Sequence, residues 1–175
     1  MCEIEPTHTR RHDPNDLLDR LGIDPDVTMR FFVVFSCFEF ALKRAGYASR
    51  RRRKDVVADW DGFGRRFSDR FFSAVTDEVL NAVRYLTENP PRKEVLNDWD
   101  ELDWEDAPCA DPTSLLDILI IVRRVRNNLF HGGKFPSGPV PFPGRDRDLV
   151  CSCILVLEAC IPLDSAVADR FAALY

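Results

Sequence analysis

Leu115 to Lys134 reads LLDILIIVRRVRNNLFHGGK, and its periodicity decides the fold class. With Leu115 at zero on a helical wheel turning about 100° per residue, Leu119, Val122 and Leu129 fall within roughly 40° of it. Asp111-Pro112-Thr113 supplies a helix start, and Gly132-Gly133 supplies the stop. Arg126 falls inside the same apolar stripe. A cation where the helix period asks for an apolar side chain is the kind of conflict expected at a functional site.

Working outward, the same period recurs. Asp13-Pro14 opens a short helix ended by Gly22, and Asp24-Pro25 opens a longer one. Between Val27 and Ala45, Phe31, Val34, Phe35, Phe38 and Leu42 share one face. Two further helical segments run from Trp60 to Val75 and from Thr76 to Leu86, closed by Asn89-Pro90-Pro91. Asp146 to Leu174 is helical again, with a break near Pro162. No sustained alternation and no Asn-Gly hairpin turn appears, so strands are not expected. The reading is all-α: an up-and-down bundle of about four to six helices. Residues 1–12 form a flexible N-terminal segment, and 13–175 form a single helical domain.

The chain has 175 residues, 45% hydrophobic and 30% charged, with a net charge of -5. That length buries a real core, and the acidic balance argues against indiscriminate nucleic-acid binding by the whole surface. No apolar run reaches the roughly 18 residues of a membrane span, and no secretion signal is visible. A cytoplasmic protein without membrane partners is expected. The six cysteines form no CxxC pair and read as reduced structural thiols; Cys151-Ser152-Cys153 is a weak metal signal. No HExxH, Walker-type loop, GxSxG or GxGxxG is present, and His8 and His12 lie near the terminus. Neither a cofactor nor a metal is expected.

The chemistry concentrates at the end of the helix quoted above. Asn127 and His131 are four apart and stack on one face, and Arg123 extends that row. His131 stands at a helix C-terminus, which favours its protonated form. Arginine suits phosphate through a planar fork of fixed charge, and histidine titrates near neutrality. The same spacing also fits scaffolding, in which His131 caps carbonyls and Arg126 pairs with an acid such as Glu39 on a neighbouring helix.

The stretch Arg126 to Lys134, an arginine, a polar residue, and a histidine after four intervening positions, resembles the signature of the HEPN family (higher eukaryotes and prokaryotes nucleotide-binding domain). The resemblance covers about nine residues. It implies a HEPN-like helical fold and a metal-independent endoribonuclease acting as a homodimer, with motif helices from both subunits lining one cleft. Arg126 and His131 would be the catalytic pair and Asn127 the supporting polar group. It further implies a toxin or effector of a toxin–antitoxin or phage-defence system, with RNA as substrate and an antitoxin or regulatory protein as a possible partner. One helix offers one histidine, whereas cleavage uses both a general acid and a general base; a symmetric dimer supplies two. The tyrosine that some members carry two residues after the histidine is Gly133 here. The alternative reading is a non-catalytic HEPN-like module that binds a nucleotide or a partner protein.

Weaker candidates lie outside the motif. Arg50, Arg51, Arg52, Arg53 and Lys54 are five consecutive cations, either a solvated loop or a phosphate-backbone contact, and Arg123 and Lys134 add charge at the motif. Glu39 reads as a partner of an arginine rather than a general acid. The acidic region from Asp98 to Asp111, with Trp99 and Trp104, reads as an exposed loop that either covers a basic groove or anchors a protein partner.

Overall fold

Aspartate and threonine caps set where several of the helices begin. In the computed structural model, which describes residues 23–51, 54–130 and 144–174, Asp24 accepts from the Asp26 amide at 2.8 Å and opens α1 (Pro25–Arg44) with Pro25 in its first turn. Asp59 caps α2 (Trp60–Ala74) and Thr76 caps α3 (Asp77–Glu88) in the same manner. The motif helix α4 (Leu115–Phe130) begins two residues later than Asp111-Pro112-Thr113 suggests. Asp111 accepts from the amide and hydroxyl of Thr113, and the Leu115 amide is capped by Ser68 of α2 at 3.0 Å. Then come α5 (Arg145–Cys160), one 3-10 turn (Ile161–Leu163) where Pro162 breaks the helix, and α6 (Ser165–Ala172) capped by Asp164.

These six helices form an all-α bundle around one contiguous core. Phe31, Phe38, Phe63 and Phe71 are fully buried, and Trp60 stacks on Phe35 at 4.9 Å between centroids. The principal packing partners are α1 with α5 and α6, α2 with α4, and α3 with α5. The strongest pairings therefore join helices that are not chain neighbours, which differs from a simple up-and-down order. Long connections permit this: residues 89–114 separate α3 from α4, and 45–59 separate α1 from α2.

Both connections carry a two-stranded antiparallel hairpin that the sequence reading did not anticipate. In the first, β1 (Ala48–Arg50) pairs with β2 (Val56–Ala58); in the second, β3 (Lys93–Leu96) pairs with β4 (Leu102–Glu105). The acidic region expected to be a loop is thus partly strand.

Gly64 explains how α2 and α4 come so close. A mid-helix glycine costs about 1 kcal/mol relative to alanine, yet a Cβ here would stand 2.7 Å from the Leu116 Cα. Among the described residues no single helix is long and apolar enough to cross a membrane. The segment 1–12 expected to be flexible, the helix expected at 13–21, Cys2, Arg52, Arg53, His131, Lys134 and the loop expected after it lie outside the described residues.

Candidate functional site

Three arginines within four residues of α4 meet three different environments. Arg123 is ion-paired to Asp61 of α2 at 2.7 Å and also donates to the Leu119 carbonyl. Expected as an RNA contact, it is placed as a tie between two helices. Arg124 donates to the carbonyls of Pro91 and Ala107, clamping both ends of the second hairpin connection onto α4. Its burial lowers its pKa, with weaker opposing effects from Cys109 and Glu105.

Arg126 is half-buried, as the wheel suggested, but its neighbours are not those expected. The guanidinium lies 5.5 Å from the ring centre of Phe35 and 5.8 Å from that of Phe130, within cation–π range. Its hydrogen-bond acceptor is Asn127 Oδ1 at 3.1 Å. Among the described residues no carboxylate pairs with it. Glu39, read as an arginine's partner, instead pairs with Lys43 one turn along α1 at 3.3 Å. The angular position of Arg126 was legible, but what faced it was not, because Phe35 approaches from another helix.

Asn127 is exposed and joins this cation to a cleft of about 280 Å³ lined by Lys93, Glu94, Arg124, Asn127 and Asn128. Asn128 is buried and donates through Nδ2 to the Arg92 carbonyl at 2.8 Å, fixing the last turn of α4 to the root of β3. Lys93, Glu94 and Asn128 carry no spacing signal in the sequence. The second hairpin brings the first two to the helix.

The basic cluster is elsewhere. Arg50, Arg51 and Lys54 are exposed on the first hairpin, beyond the C-terminal end of α1. Arg126 meets α1 at Phe35, nine residues before Arg44, which is about 14 Å along the helix. The structure therefore does not bring this cluster and Arg126 into one site. At the far tip of the second hairpin, Leu96, Trp99 and Leu102 are 63%, 78% and 73% exposed.

Among the described residues no group of three or more His, Cys, Asp or Glu side chains is arranged to hold a metal ion, and Cys37, Cys109, Cys151, Cys153 and Cys160 are free thiols. Burial pushes the Cys153 and Cys160 thiols far up, so both stay protonated packing groups. Comparison of the chain with known protein families, with curated proteins and with solved structures found no match.

Proposed function

We propose that this chain is a metal-independent endoribonuclease of HEPN type, working as a homodimer, with Arg126 and His131 as its catalytic pair and Asn127 positioning the arginine. The observation that carries the reading is the state of Arg126. A half-buried guanidinium held on two aromatic faces, with no carboxylate among the described residues to neutralise it, is a fixed positive charge suited to a phosphate. Asn127 accepts one of its N–H groups and so fixes the orientation of the fork.

In the proposed reaction a general base removes the proton of the 2′-hydroxyl, and the 2′-oxygen attacks phosphorus. The 5′-oxygen leaves with a proton from a general acid, giving a 2′,3′-cyclic phosphate and a 5′-hydroxyl. Arg126 stabilises the charge on the phosphoryl oxygens, and the two histidines of a dimer act as acid and base. The dimer part of the reading is supported by the surface bordering Arg126. Met29, Phe32, Val33 and Phe40 fall on one exposed face of α1, and Phe130 packs on Phe32 at 5.4 Å while itself 41% exposed. Contiguous exposed apolar faces mark association surfaces. The role in a toxin–antitoxin or phage-defence system, with an antitoxin as regulatory partner, belongs to the same proposal and rests on the resemblance of the motif.

The test is cleavage of a mixed-sequence RNA in EDTA by the wild type, His131→Ala and Arg126→Ala, with folding checked by circular dichroism. Cleavage by the wild type alone, leaving cyclic-phosphate ends, is expected. No cleavage by a folded wild-type dimer favours the second reading, a non-catalytic module for a nucleotide or partner protein. The exposed apolar tip at Leu96, Trp99 and Leu102 is the observation on that side.

A further inference from the structure

The cleft beside Asn127 holds hydrogen-bonding groups that the fold does not use. Asn128 spends Nδ2 on the Arg92 carbonyl, and among the described residues no buried side-chain oxygen or nitrogen lacks a partner, so its Oδ1 is left facing accessible space. Asn127 uses Oδ1 to hold Arg126, which leaves its Nδ2 donor. Glu94 is exposed on β3 and enters no ion pair among the described residues. Arg124, fixed by two carbonyls, closes one wall. At about 280 Å³ the cleft lies just under the roughly 300 Å³ at which small-molecule sites begin, so it suits one nucleobase rather than a longer ligand.

We propose that this cleft is a guanine-binding subsite, with Glu94 as the residue that selects the base. Among the four RNA bases, guanine alone presents two adjacent N–H donors, N1–H and N2–H, on one edge. A carboxylate accepts both in parallel. Adenine and cytosine place a ring acceptor beside their amino group, and uracil flanks its single N–H with two carbonyls, so each sets an acceptor against the Glu94 carboxylate. Asn127 Nδ2 supplies the donor that O6 of guanine requires. Asn127, which lines the cleft and also holds Arg126, links the two. As part of an RNA-cleaving enzyme the subsite rests on the proposed function; as a binding site it stands or falls by itself.

The first experiment is therefore calorimetric titration of the wild-type protein with GMP, AMP, CMP and UMP. A bidentate match of this kind is worth about tenfold to a hundredfold in discrimination. GMP is expected to bind at least roughly tenfold more tightly than the other three. Glu94→Gln, which replaces one acceptor oxygen by a donor, removes that preference, whereas Glu101→Gln at the hairpin tip retains it. Equal binding of all four nucleotides, no binding of any, or a preference that survives Glu94→Gln overturns the proposal. Mapping cut sites on RNA separates the two readings. Cleavage without preference for guanine, together with unselective titrations, removes the subsite and leaves the ribonuclease. Selective GMP binding by a protein that cuts no RNA removes the ribonuclease and leaves the subsite.

Discussion

Replacing Arg126 by methionine separates a catalytic cation from a scaffolding one. The guanidinium sits 5.5 and 5.8 Å from the Phe35 and Phe130 ring centres, near the outer limit of about 6 Å for cation–π attraction. At that range each contact is worth about 0.5–1 kcal/mol, so about 1–2 kcal/mol is lost with the charge. Methionine returns about 0.3–1.5 kcal/mol per sulfur–aromatic contact and removes the cost of half-burying an unneutralised cation. The two sides nearly cancel. Thermal unfolding should shift by no more than about 4 °C, the equivalent of about 1 kcal/mol in a domain of this size. Activity should behave differently, because loss of one preorganised charge stabiliser typically lowers turnover by about 10²–10³. Single-turnover cleavage of a labelled RNA in EDTA, beside a melting curve of the same preparation, gives both numbers. A fall in melting temperature of more than about 8 °C, with activity tracking the folded fraction, would show that Arg126 is scaffolding; unchanged cleavage would refute its catalytic role outright.

Three other outcomes follow from the geometry. Gly64→Ala places a Cβ 2.7 Å from the Leu116 Cα, so overpacking of about 1–3 kcal/mol should outweigh the helix-propensity gain of about 1 kcal/mol, read as a lower melting temperature. Phe32→Glu combined with Phe130→Glu puts charge on the apolar surface beside Arg126 and should convert the proposed dimer to monomer in light scattering, with cleavage lost in parallel. Tyr47 donates to Asp164 at 2.7 Å, and burial together with that bond pushes the phenol up to about 12. The folded state then holds this proton more tightly than the unfolded one, so its contribution is complete below pH of about 10 and is lost as pH rises toward about 12. The same bond lowers the Asp164 pKa, an acid-side contribution that fades as pH falls through its folded value. Tyr47→Phe should flatten the alkaline limb of the stability profile and weaken the acid one, measured by denaturant unfolding across pH.

The helices were legible because each has one face to bury and several have a residue that starts them: Asp24, Asp59 and Thr76 all cap where the sequence placed a beginning. The hairpins were not, because neither face of their strands is buried. The register pairs Glu94 with Trp104 and Leu96 with Leu102, and all four side chains keep some exposure, so no alternation exists to read. The second hairpin is shaped instead by Asn97, whose side chain accepts from the Trp99 and Glu101 amides at 3.0 Å, and by Asp100 at φ 59°. The site was half legible for the same reason. Arg126 and Asn127 come from one helix, whose period fixes their relative angle. Phe35 reaches Arg126 from α1, and Glu94 reaches the cleft from a hairpin, and no local pattern encodes either approach.

The three arginines of α4 then give the sharpest distinction between fold and function. All three precede the last turn of α4, so the helix dipole does not separate them. Their partners do. Arg123 is neutralised by Asp61, and Arg124 is committed to two carbonyls. Arg126 keeps its charge unmatched by any carboxylate among the described residues. Removing Arg124 leaves the Pro91 and Ala107 carbonyls without their donor, at about 1–3 kcal/mol for each such group that stays buried. Arg124→Ala should therefore lower the melting temperature markedly, and any loss of cleavage should follow the loss of fold. Arg126→Ala should show the reverse order, with cleavage gone while the protein still melts near the wild-type temperature. If both variants lose stability and activity in the same proportion, the motif helix carries no specialised cation, and the resemblance of its last nine residues has no chemical content here.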